Sequence, residues 1–233
     1  MLKNFPLKPP FFEIGPKSYL VGDEILELAL AADIAAEKYG IDIIFTTPVV
    51  DIRRVAQAVK HLFVFAPHME PIEPGRGLAD ILPESLVAAG AHGVMLNHCE
   101  KPLSFSVLAK TIRRAEEVGL ATIVCADSIA EASAVAHLSP DIIVAEPTEL
   151  IGTGNPSDMS YVQASIEAVK KIDPDILVLQ GAGISCGEDV YRVIGTGAEA
   201  TGSSSGIVKA PDRAKMIDEM IGAVRRAWDE RRK

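Results

Sequence analysis

Three residues of complementary chemistry lie far apart in the chain, each just beyond a short apolar run. Lys17 follows "PFFEIGP", His98 follows "HGVMLN", and Glu146 closes "DIIVAE" ahead of a proline. A carboxylate can take a proton from carbon, an imidazole can donate to a developing oxyanion, and a cation can hold the negative charge that results. Taken singly, each has an ordinary explanation. Most lone lysines are solvated, most lone histidines make structural hydrogen bonds, and a glutamate before proline often just ends a strand. The set carries meaning if the fold brings the three together. Glu100, two residues after His98, adds a second carboxylate to the same loop.

A second group of residues stands out for small size. "QGAGIS" contains Gly183, and "GSSSG" contains Ser204 and Ser205. Turns of this kind let backbone N–H groups approach an anion, and a following helix N-terminus adds a favourable field. "GAGISCGEDV" is not a dinucleotide fingerprint, because it lacks the third glycine and stands far from the N-terminus.

The elements that must position these residues follow a regular period. Apolar runs ("PFFEI", "IDIIFTT", "HLFVFA", "HGVMLN", "ATIVCA", "DIIVAE", "DILVLQG" and, more weakly, "AEATGSS") alternate with amphipathic stretches such as "DEILELALAADIAAEKYG" and "SYVQASIEAVKKI". The runs are continuously apolar, which signals strands buried on both faces and therefore parallel. The longer stretches repeat apolar residues at i, i+3, i+4 and i+7, as helices lying on a sheet require. Eight strand–helix units without a linker predict an α/β fold, a single closed (β/α)8 TIM barrel spanning residues 1–233. An open doubly wound sheet is the other arrangement, kept open by the weak eighth strand. In a barrel the residues at the C-terminal strand ends converge on one axis.

Composition limits the partners. A net charge of -9 and a pI near 5.1 argue against nucleic acid, which needs clustered Lys and Arg. A small anion can still bind in one local cationic pocket. No apolar run approaches the roughly 20 residues of a membrane helix, and "MLKNFPLKPPFF" lacks a signal-peptide core with a cleavage site. Cys99, Cys125 and Cys186 show no zinc or disulfide spacing. The expectation is a cytoplasmic protein that uses neither metal nor membrane.

With these motifs in view, the chain resembles the triosephosphate isomerase family, in particular its short archaeal form. "PKSY" is similar to the family's lysine motif and "LNHCE" to its His-Ser-Glu motif. "EPTELIGTG" resembles the glutamate with its closing loop, and "GAGISCGEDV" and "SSSGIVKA" resemble the two phosphate loops. The resemblance implies aldose–ketose isomerisation of a small sugar phosphate through an enediol(ate), with no cofactor. Glu146 would be the base, His98 the neutral electrophile and Lys17 the charge stabiliser, with Glu100 as its supporting partner. Pro147 through Gly154 would form the lid. Gly15 would line the substrate site, and Ile151, Gly152, Gly183, Ser204 and Ser205 would bind the phosphate. A helix starting after "CEKPLS" would disfavour the imidazolium of His98. The resemblance also implies a homo-oligomer, dimer or tetramer, with "PPFF" and the Trp228 helix as candidate contacts.

The chain departs from that pattern at the reacting end. Gly15 stands where the family has Asn, Cys99 where it has Ser, and Pro67 where it has Gln; Leu78 and Ala79 replace the Thr-Gly that reaches across the dimer. Room left by Asn and Gln would fit one more carbon, so a tetrulose phosphate is an alternative substrate. A non-catalytic sugar-phosphate binder is another reading. An aldolase using Lys17 as a Schiff base is disfavoured, because Glu100 nearby would raise the lysine pKa.

Overall fold

The computed structural model describes residues 6–154 and 157–232; the terminal residues of the expected 1–233 span, including the start of "MLKNFPLKPPFF", lie outside them. Among the described residues eight strands run parallel and close on themselves in chain order. They are β1 (Phe11–Ile14), β2 (Asp42–Thr46), β3 (Leu62–Ala66), β4 (Gly93–Leu96), β5 (Ala121–Ala126), β6 (Ile142–Ala145), β7 (Leu177–Gln180) and β8 (Ala200–Ser203). Helices α1 (Asp23–Tyr39), α2 (Ile52–Ala58), α3 (Pro83–Ala89), α4 (Phe105–Glu117), α5 (Ile129–Ala136), α6 (Met159–Ile172), α7 (Gly187–Gly195), α8 (Ser205–Val208) and α9 (Arg213–Arg231) lie between and after them.

The eighth strand settles the choice of topology. β8 pairs with β7 and also with β1, with Glu13 opposite Gly202, so the sheet has no open edge and the doubly wound alternative falls. Its weak signal has a physical cause. A Cβ on Gly202 would stand 2.8 Å from the Glu13 carbonyl oxygen and 3.0 Å from Glu13 Cβ, so this strand gives up bulk where it passes β1.

Apolar burial is split between two regions. Phe11, Ile44, Phe65, Ile123, Ile142, Val144, Leu177 and Leu179 fill the bore of the barrel. A larger cluster lies between the outer faces of the strands and the helices. Gly93 serves the bore: a Cβ there would fall 2.3 Å from the Phe65 ring. Phe11 and Phe12 are wholly buried and Trp228 is 8% exposed, so packing within the chain already accounts for these three residues. None of the described helices is long and apolar enough to cross a membrane.

Candidate active site

Three chain exits from the barrel define the geometry. Just beyond β1, β4 and β7, Lys17 (φ 49°), Asn97 (φ 58°) and Ala182 (φ 68°) take left-handed backbone conformations. A non-glycine residue held there costs roughly 1–3 kcal/mol and persists only where its surroundings impose it. The Asn97 side chain shows how one of these turns is held. Its amide donates to the Cys125 carbonyl and to Glu131, each at 3.0 Å, and its oxygen accepts from the Leu103 N–H at 2.9 Å. This clamp fixes the loop carrying His98 and Glu100. Asn97 did not stand out in the sequence, although asparagine tolerates this conformation best after glycine.

The convergence expected of Lys17, His98 and Glu146 is present. Lys17 Nζ lies 3.2 Å from His98 Nε2 and 3.0 Å from Glu100 Oε1, and His98 Nε2 lies 3.7 Å from Glu146 Oε2. The Glu100 N–H donates to His98 Nδ1 at 3.1 Å, which favours the neutral ring with its proton on Nε2; Lys17, a donor only, is then a neighbouring charge on that side and not a hydrogen-bond partner of Nε2. Burial pulls the His98 pKa down, the Lys17 charge pulls it further, and Glu100 opposes both. Desolvation and a neighbouring cation thus favour the neutral ring.

Lys17 has the opposite balance. Burial lowers its pKa, but the hydrogen bond and charge of Glu100, joined by Glu146, outweigh it and raise the value. It is a held cation and not a free amine nucleophile, which disfavours the aldolase reading. Burial raises the Glu146 pKa, against the Lys17 charge and a 3.2 Å hydrogen bond from the Ala182 N–H. A carboxylate of raised pKa is a stronger base, and here it is aimed at the cavity.

All these groups line one cavity of about 430 Å³ at the C-terminal mouth, together with Gly15, Pro67, Ile151, Gly152, Gly183, Ser204 and Ser205. Of these, Gly152, Gly183, Ser204 and Ser205 are small and uncharged. Gly152 (φ 74°) and Gly183 (φ 71°) line the cavity in left-handed backbone conformations, and Ser204 Oγ is buried without a protein partner among the described residues. The loops after β7 and β8 are stitched by Ser203 Oγ to the Ile184 carbonyl at 2.8 Å. Asp189 fastens the first of them, accepting from the Ser185 N–H and hydroxyl at 3.0 and 2.8 Å. Over the cavity, residues Thr148–Leu150 form one 3-10 turn of the expected lid, and Thr153 closes onto the Leu150 carbonyl. Cys99 is exposed, its sulfur 3.7 Å from His98 Nδ1, and Leu78 stands fully in solvent.

One cavity residue escaped the sequence reading. Glu13 sits in the middle of β1, two residues after Phe11, and the alternation of a strand turns it inward above the bore. A charge at this parity within an otherwise apolar strand was the available signal. Its carboxyl reaches into the space beside Gly15: a Cβ on that glycine would lie 3.0 Å from Glu13 Oε1. The room expected from the missing Asn is therefore occupied, which weakens the case for a longer substrate.

Fold and site together define a closed (β/α)8 barrel with a carboxylate, an imidazole and a lysine gathered in a cavity at its mouth. A family profile described as triosephosphate isomerase matches residues 17–220. Among curated relatives, the triosephosphate isomerase of Methanocaldococcus jannaschii is 40% identical over 204 residues, 86% of this chain and 93% of that one. That of Methanothermus fervidus is 36% identical over 217 residues, 91% and 97% of the two chains. That of Sulfolobus acidocaldarius is 34% identical over 229 residues, 97% and 99%. The chain belongs to the triosephosphate isomerase family. The profile match begins at Lys17, so Glu13 and Gly15 lie ahead of it.

Proposed function

We propose that this chain interconverts glyceraldehyde 3-phosphate and dihydroxyacetone phosphate by proton transfer through an enediol(ate). The supporting observation is that His98 Nε2 stands between Lys17 Nζ at 3.2 Å and Glu146 Oε2 at 3.7 Å, in one cavity large enough for a triose phosphate. In this reading Glu146 takes the proton from one carbon and returns it to the next. His98, neutral and protonated on Nε2, donates to the carbonyl oxygen as charge develops there, and Lys17 balances the negative charge. Glu100 is a positioning residue that holds Lys17. The phosphate lies against Ile151, Gly152, Gly183, Ser204 and Ser205, held by backbone groups and hydroxyls. Closure of Pro147–Gly154 excludes water, which protects the enediolate and strengthens each polar contact. The protein works in the cytoplasm as a homo-oligomer.

The test is a coupled assay of the purified chain with glyceraldehyde 3-phosphate, repeated in D2O. Turnover with solvent deuterium appearing in the product is expected. Absence of turnover with bound phosphate analogue would leave a sugar-phosphate binder instead. Turnover of erythrulose phosphate at a higher kcat/KM than the triose would replace the substrate.

A further inference from the structure

Four observations meet at Glu13. It points inward from β1 by strand parity and lines the cavity that holds Lys17, His98 and Glu146. Its Oε1 is enclosed yet has no hydrogen-bond partner among the described residues, and neither has the nearby Thr46 Oγ1. Its neighbours make room for it. A Cβ on Gly15 would press on Oε1 at 3.0 Å, and one on Gly202 would meet Oε2 at 3.1 Å and Cβ at 3.0 Å. Finally, the strand that carries it is otherwise apolar, so a carboxyl here is costly to bury unless it does something.

We infer that Glu13 is a further substrate-contacting residue of this site, whose neutral carboxylic acid donates a hydrogen bond to a substrate oxygen at the reacting carbons. The inference rests on the isomerase reading for the identity of that oxygen. The electrostatics around the residue select the neutral form. Burial pushes the Glu13 pKa up, the Thr46 hydroxyl pulls it down by proximity although the two make no hydrogen bond of good geometry, the Glu146 charge pushes it up and Lys17 pulls it down, leaving it at about 7. Cys125, on β5, also feels its charge and is itself held as a thiol by burial. Glu146 and Lys17 are thus the charged side chains that act on Glu13. An anionic substrate arriving beside Glu146 adds negative charge and favours the protonated acid still more. A protonated acid then offers an O–H to the developing oxyanion, whereas a carboxylate would repel it.

The consequence has a sign. With Glu13 as donor, kcat/KM is full where the acid is neutral and falls as pH rises through about 7. Glu146 acts in the opposite sense, since it must be ionised, and the two interact, so the limbs belong to the pair. The experiment measures kcat/KM for glyceraldehyde 3-phosphate from pH 5.5 to 9 in the wild type, Glu13→Gln and Glu13→Ala. Gln keeps the size and offers an N–H donor at every pH, so the alkaline limb should vanish. Ala should lower kcat/KM at pH 6 by about 100-fold, with affinity for inorganic phosphate unchanged. An alkaline limb that survives in Glu13→Gln, or a Glu13→Ala enzyme within about threefold of wild type at pH 6, overturns the inference. Should the wild type turn over no triose phosphate, the isomerase reading fails separately. The same variants are then titrated with 2-phosphoglycolate at pH 6 and 8. Affinity that weakens at pH 8 more steeply in the wild type than in Glu13→Gln supports the contact, and identical behaviour overturns it.

Discussion

The two ends of the cavity are built on different principles. At the end where we place the reaction, the proposed function depends on which side chains are present: Glu13, Lys17, His98, Glu100 and Glu146 line the cavity. At the other end, Gly152, Gly183, Ser204 and Ser205 present small, uncharged residues, and what matters is how closely the backbone can approach. A group-dependent end can exchange one donor for another, as the inferred role of Glu13 beside Gly15 would illustrate, provided the space is shared differently. A backbone-dependent end tolerates any residue that is small enough and fails when one is not. Substitution at the first should therefore change kcat and pH dependence, and at the second KM.

The largest break in that contrast should come from Glu146→Gln. It removes the base while keeping the shape and the hydrogen bond from the Ala182 N–H, so kcat should fall by about 10⁴-fold with phosphate-analogue affinity nearly intact. Single-turnover assays and analogue titration decide it; equal loss of both would mean that Glu146 shapes the site instead. His98→Gln follows. It leaves an amide in place of a neutral imidazole donor, and kcat should drop about 100- to 1000-fold. Because the ring's pKa is lowered, it should titrate below an ordinary imidazole. NMR titration of the ring checks this, and an imidazolium at pH 6.5 would contradict the assignment.

Glu13→Gln sharpens the comparison through stability. The folded carboxyl, with its pKa raised from 4.5 to about 7, binds a proton that the unfolded chain has already released. Its contribution is neutral below pH 4.5, and stability is lost as pH rises from there to about 7. The penalty above that pH is at most about 3 kcal/mol, reduced because the carboxyl faces an open cavity. Glu13→Gln should thus be more stable than wild type at pH 8 and equal to it at pH 4.5, by urea denaturation. A difference independent of pH would mean that Glu13 is ionised in the fold.

What could be read from the sequence divides along similar lines. Strands buried on both faces announce themselves by continuous apolar runs, so seven were plain, and the eighth was faint because Gly202 yields its volume to Glu13. Lys17, His98 and Glu146 could be picked out because strand ends are where a barrel puts its chemistry. Glu13 was hidden inside an apolar run, where only its parity with Phe11 shows that it faces the cavity. Asn97 acts by holding a loop, and its partners Glu131 and Cys125 are set by the fold, not by spacing, whereas the Ser185–Asp189 contact is local, four residues apart. The source of His98's neutrality was also out of reach, because Lys17 is 81 residues away and becomes its neighbour only when the barrel closes.

The smallest expected effect tests the uncharged end alone. Gly206, at the start of the turn after β8, lies so close to the β7 loop that a Cβ would stand 2.6 Å from the Ile184 carbonyl oxygen and 2.7 Å from Ser203 Oγ. Gly206→Ala must push these loops apart and with them Gly183 and Ser204, while Lys17, His98 and Glu146 hang from other strands. The expected result is a KM raised about tenfold, equivalent to about 1.4 kcal/mol of binding, with kcat changed by about twofold or less. The Glu13-dependent limb of the pH profile should be untouched, because Gly206 contacts neither β1 nor its carboxyl. A fall in kcat with unchanged KM would show that the two ends are mechanically coupled, and that backbone approach at one sets side-chain geometry at the other.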